Sequence, residues 1–174
     1  MSTGDPSPPL ARAVVEIEQH VASDGWDQGP RLFALAATSD LLSREPALAD
    51  RLGLGTDAPA LGQLTPVEQE LPERDLEDIL AGLAWPTTVV GCALALERIV
   101  LPPAAESGMP PRAAEAAAWA ARHPDRADVR LVVAVMRDGA RWSVLRVRGR
   151  DADLLRNPDL APDLADALAA TFTE

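Results

Sequence analysis

The chain has no lysine and no tyrosine, one cysteine, two phenylalanines and two histidines. A single cysteine, Cys92, excludes an internal disulfide. Its place in an apolar run predicts a buried, inert thiol, and cysteine usage of this kind suits a cytoplasmic protein. His20 and His123 fall at or near expected helix ends with no cysteine or second histidine beside them. A metal site needs three or four converging ligands, so neither a metal nor a cofactor is expected. The phosphate-loop patterns GxxxxGKS/T and GxGxxG and the nucleophile-elbow pattern GxSxG are all missing. No apolar run reaches the roughly 18 uncharged residues of a membrane helix. The opening MSTGDPSPP has neither the basic nor the apolar region of a targeting peptide. The lack of Lys and Tyr beside abundant Ala and Arg is the bias of a high-GC genome and carries no functional weight.

Acids are plentiful, and the formal net charge is −11. Such a chain repels phosphate backbones and anionic lipid, so no nucleic-acid or membrane partner is expected. Within residues 122–150, however, eight arginines face only Asp125, Asp128 and Asp138. The hydrophobic content of 47% suits one folded domain, residues 10–174, behind a disordered Ser- and Pro-rich tail at residues 1–9.

The longest strand pattern is Thr87 to Leu101, bounded by Pro86 and Pro102. Gly91, Ala93 and Ala95 share one face; Val90, Cys92, Leu94 and Leu96 share the other. Two apolar faces predict a central strand buried on both sides. The small face leaves room for a closely packed helix, and the Ala-rich helix expected at residues 112–122 is suited to it. Val129–Arg137 and Arg141–Arg148 read as a hairpin turning at Asp138-Gly139. Helices are expected over residues 10–22, from Pro46 to Gly53, from an Asp75 cap through Leu83, and from Leu160 to Phe172. Arg31–Thr38 reads as a strand, and Leu64–Gln69 as a short edge strand, since proline is tolerated there. Together these predict an α+β fold with an antiparallel or mixed sheet of four to five strands.

Three groups are candidates for function. Arg146, Arg148 and Arg150 recur at period two, with Trp142 and Val144 continuing their face and Arg141 nearby. Guanidinium groups so arranged can grip carboxylates or phosphates on a partner. The alternative is that Arg146 and Arg148 pair with acids of this same chain. Trp26 and Trp85 each adjoin a loop and can line a cleft, whereas Trp119 and Trp142 read as core. The acids Glu68, Glu70, Glu73, Asp75, Glu77 and Asp78 can supply a carboxylate pair or hold an ion, or form a solvated helix start.

The stretches GWDQGPRLFAL (25–35), LTPVEQE (64–70), AWPTTVVGCALALERIVLPP (84–103) and EAAAWAARHPDRADVRLVVAVMRDGARWSVLRVRG (115–149) resemble a family of small acidic actinobacterial proteins with no assigned activity. That resemblance carries over no catalytic residue. The element order is similar to that of type III secretion chaperones, which bind partners as dimers. The expected function is therefore a non-catalytic binding or adaptor module, acting as a homodimer or with a protein partner. The alternatives are a small-ligand sensor, or a hydrolase or ion-dependent enzyme built on the acids at 68–78.

Overall fold

The computed structural model describes residues 8–44, 62–102, 107–150 and 154–172. In chain order these form α1 (Pro8–Ala22), β1 (Arg31–Ala37), α2 (Thr38–Arg44), β2 (Leu64–Gln69), α3 (Leu76–Ala81), β3 (Val89–Val100), α4 (Ala113–Arg122), β4 (Ala127–Met136), β5 (Arg141–Val147), β6 (Leu154–Asn157) and α5 (Pro162–Ala170). The fold is α+β. Six strands, rather than four or five, make one antiparallel sheet in the order β2-β1-β3-β4-β5-β6. The extra strand, β6, is four residues long and mostly exposed. It has no periodic signal of its own and exists through pairing with β5, from Ser143 opposite Asn157 to Arg146 opposite Leu154.

β3 lies inside the sheet, between β1 and β4, as its two apolar faces require. Alternation sends its side chains into two cores. Ala93 and Ala95 join Phe33, Leu35, Val132, Ala134 and Val144 beneath the apolar stripe of α1, Leu10, Val14, Ile17 and Val21. Cys92 and Leu94 join Leu131, Val133 and Val135 beneath Leu80 of α3 and Leu164, Ala165 and Leu168 of α5. The layers are therefore α1, sheet, and α3 with α5.

The helix over the small face of β3 is α1, not the Ala-rich α4. No residue of α4 is buried, and its Trp119, expected in the core, is half-buried and edge-on to His123 at 5.1 Å between centroids. Alanine supplies helix propensity but little apolar area, whereas α1 carries a full Leu/Val/Ile stripe and wins the larger burial.

Other boundaries also differ from expectation. α1 begins at Pro8, inside the stretch assigned to the tail, because proline fits a first helical turn. α2 follows β1 directly at Thr38, whose hydroxyl lies 2.8 Å from that of Thr65. The helix expected from Pro46 to Gly53 lies outside the described residues. Asp75 occupies the N-cap of α3 but makes no side-chain capping bond. The β4–β5 turn has three residues, Arg137 to Gly139, rather than two. The Met136 N–H donates to the Ala140 carbonyl at 2.8 Å, and Gly139 takes φ +99°. That left-handed glycine is characteristic of the three-residue hairpin loop.

Candidate functional site

Of the arginine stripe, Arg146 lies on one face of β5 with Trp142 and Val144, while Arg148 and Arg150 follow the end of the strand; α1 and the α1–β1 loop cover that face. Trp142 is only 7% exposed. Arg146 donates Nε to Glu18 Oε1 at 2.5 Å and Nη2 to Oε2 at 3.1 Å. Glu18, on α1, is fully buried, and its Oε1 lies 3.5 Å from Nη1 of the buried Arg130. Arg148 forks onto Asp27 at 2.9 and 3.2 Å. Arg141, on the opposite face, reaches Asp166 at 2.6 Å and Asp159 at 3.9 Å. Arg150 is exposed. The chain's own acids thus engage Arg141, Arg146 and Arg148, and Trp142 is spent in the core.

Trp26 shields this cluster. The Arg130 guanidinium lies 4.4 Å from its ring centroid and that of Arg148 5.5 Å. The loop carrying Trp26 is strapped down: the N–H groups of Asp27 and Gln28 both donate to Glu97 at 2.9 Å, and Arg130 donates to the Gly25 carbonyl at 2.7 Å. Asp27 adopts φ 67°, a left-handed conformation that Asp tolerates better than most residues. Trp85, between α3 and β3, ties that loop to the end of α5. Its Nε1 donates to Thr171 at 2.9 Å, just past α5, and its ring stacks on Phe172 at 6.3 Å.

Cys92 is buried beside Thr171, with Sγ 3.9 Å from Oγ1. Burial pushes its thiol from the ordinary 9.0 up to about 12. A raised folded pKa means stability is fully present below the unfolded value and is lost as pH rises toward the folded one. With no Lys or Tyr, no other side chain of this protein ordinarily titrates between about pH 9 and 12. Stability should therefore fall by about 2–3 kcal/mol from pH 9 to about pH 11. Urea titrations of Cys92→Ala should show that slope removed; an unchanged slope would show that the thiol is not its source.

The acids at 68–78 do not converge. Glu68 forms a bidentate pair with Arg31, at 2.7 and 2.8 Å, which holds its carboxyl below the usual range. Glu70, Glu73, Asp75, Glu77 and Asp78 are exposed. Among the described residues no group of three or more His, Cys, Asp or Glu is placed to hold a metal ion.

What three separate elements do build is a groove of about 740 Å³ between α3 and α5, with β3 beneath. Leu80, Leu96, Leu164 and Ala167 give it an apolar lining, and the exposed Ala81 and Ala170 form its lips. Asp75 and Glu77 stand at one rim, and at another Arg98 pairs with Asp163 at 2.9 Å. Arg98 keeps the Asp163 carboxyl below its ordinary range. A concave apolar site with few polar groups can bind by excluding water and be oriented by its charged rim. Of these residues the sequence offers only Asp75 and Glu77 as candidates for function. The others are ordinary helix and strand positions until folding brings residues 75–81, 96–98 and 163–170 together.

Among the described residues no helix is long and apolar enough to cross a membrane. No curated protein and no solved structure matches the chain. The family model described as PPA1309-like protein matches residues 10–173, and the chain belongs to this uncharacterised family.

Proposed function

We propose that the protein is a non-catalytic binding module whose docking site is the groove between α3 and α5. The observation that carries this reading is the pairing of an apolar floor with a rim of three acids, Asp75, Glu77 and Asp163, against the single Arg98. An apolar segment with basic flanks satisfies both parts, burying side chains in the floor while its cations meet the rim. The stripe once expected to grip an acidic partner contributes less, because Arg146 and Arg148 already hold carboxylates of this chain. The groove volume also falls in the range of small-ligand sites, roughly 300–1,000 Å³, which keeps a ligand sensor as the second reading.

The test is titration of a fluorescein-labelled helical peptide with Leu and Trp on one face and Arg on the other. Ala81→Arg with Ala170→Arg, both on exposed lips, should raise its Kd at least about tenfold, ~1.4 kcal/mol, with an unchanged melting curve. Peptide binding that ignores both substitutions places docking elsewhere. Failure of the peptide together with saturable quenching by a metabolite, lost in the same variant, favours the sensor.

A further inference from the structure

We propose that the occupant of this groove is α4 of a second copy, exchanged reciprocally in a two-fold dimer. The inference rests on the groove being a docking site and adds the identity of its partner.

The first reason is the state of α4. It has ten residues and buries none. Isolated helices shorter than about 12–15 residues are marginal in water even when rich in alanine, so a helix of this length needs a surface to pack on. Within one chain α4 has a half-buried stripe of Ala116, Trp119 and Ala120, while Ala113, Ala114, Ala117, Ala118 and Ala121 are exposed.

The second reason is fit. Alanine side chains let a helix sit deep in a narrow groove, at the short end of interhelical distances. Arg112 and Arg122 flank α4, with Glu115 its one acid, opposite in sign to the groove rim.

Placement supplies the third. The pairing of β1 with β3 ends at Arg31 opposite Ala95, but β3 and β4 run on as an extension beyond β1 to Val100 opposite Ala127, with β5 still paired to β4 as far as Val129 opposite Val147. This extension carries Leu96 and Arg98 of the groove, leaves Ile99 40% and Val100 47% exposed, and holds α4 at its end. By alternation Val100 shares the face of Leu96 and Arg98. A helix docking there from another copy would extend its contact onto Val100. Each chain has both groove and helix, so one two-fold axis forms the contact twice and closes the assembly.

The buried Cys92 is the native cysteine, which leaves engineered thiols to report cleanly. Chains bearing Ala81→Cys are mixed with chains bearing Ala118→Cys and oxidised. A covalent heterodimer is expected, at twice the 18.4 kDa of one chain. In sedimentation, wild type should be a dimer at micromolar concentration. Ala117→Glu with Ala118→Glu should weaken it at least about tenfold. Because α4 adds nothing to either core, the melting curve of that variant, taken at a concentration where wild type is monomeric, should not move. A monomer at every concentration, or cross-linking only within a doubly substituted single chain, overturns the exchange. If that monomer still binds the labelled peptide through the groove, docking stands with a foreign partner. If the groove binds neither peptide nor copy, the docking reading fails too.

Discussion

Replacing Glu18 with glutamine should destabilise the protein by about 3–5 kcal/mol, the cost of breaking a buried ion pair by removing one member. Arg130 and Arg146 stand directly opposite each other on β4 and β5. Like charges in that position repel, and here one is 1% exposed beneath α1 and the α1–β1 loop. The Glu18 carboxylate lies against both and is itself fully buried. Without it two guanidiniums remain with too little compensation. Arg130 would retain its bond to the Gly25 carbonyl and its contact with Trp26, but its Nε has no partner among the described residues. Urea unfolding followed by tryptophan fluorescence is the measurement, and Arg148→Ala is the control. That exposed pair with Asp27 is screened by water and should contribute far less to stability than the buried cluster. Joint replacement of Glu18, Arg130 and Arg146 by Leu, Met and Leu should be neutral or stabilising by about 1–4 kcal/mol, since all three desolvation costs then disappear. A loss below about 1 kcal/mol for Glu18→Gln would mean that water reaches the cluster.

Gly91→Leu should destabilise by about 3 kcal/mol or more, at or beyond the upper end for overpacked cores. A Cβ at residue 91 would sit 2.7 Å from Met136 Sδ, 2.8 Å from the Val135 carbonyl oxygen and 3.3 Å from Leu35 Cδ1. The thioether can swing aside; the carbonyl belongs to the neighbouring strand and cannot. The constraint is thus the approach of β4 rather than a helix packed on a small face. It coincides with an irregularity in the sheet, because Leu35 pairs with Gly91 but Ala36 with Val89, leaving Val90 as an extra residue. Such bulges twist a strand and bring its backbone close to its neighbour. Gly91→Ala already places the offending atom and should cost a large part of the same amount. Thermal melting of both variants decides it: a leucine variant that melts with wild type would show that β4 can yield.

The two variants mark where reading along the chain succeeds and where it stops. Strand β3, the hairpin and the stripe of α1 were legible because each is written in neighbouring residues: period two, an Asp-Gly turn, and apolar positions at 10, 14, 17 and 21. Edge strand β2 was legible because Pro66 removes a ladder donor and cannot sit mid-sheet. The Glu18 cluster left a fainter trace. Glu18 falls on the apolar stripe of α1, four residues after Val14, and Arg146 continues the apolar face of Trp142 and Val144. Two opposite charges, each breaking into an otherwise buried pattern, are the signature of a pair between elements; a period-two arginine stripe alone reads equally well as surface.

The sequence alone determined the class of fold, the two-sided burial of β3 and the buried place of its one cysteine. Those follow from composition and from periods that span a few residues. Tertiary structure decided which helix covers which face, that β6 exists, that Arg130 and Arg146 meet a buried Glu18, and that a groove opens between α3 and α5. Each depends on elements far apart in the chain, such as Glu18 and Arg146 at a separation of 128 residues. Local propensity carries no information at that range. The choice is made by which arrangement buries the most apolar surface while leaving the fewest buried charges unpaired.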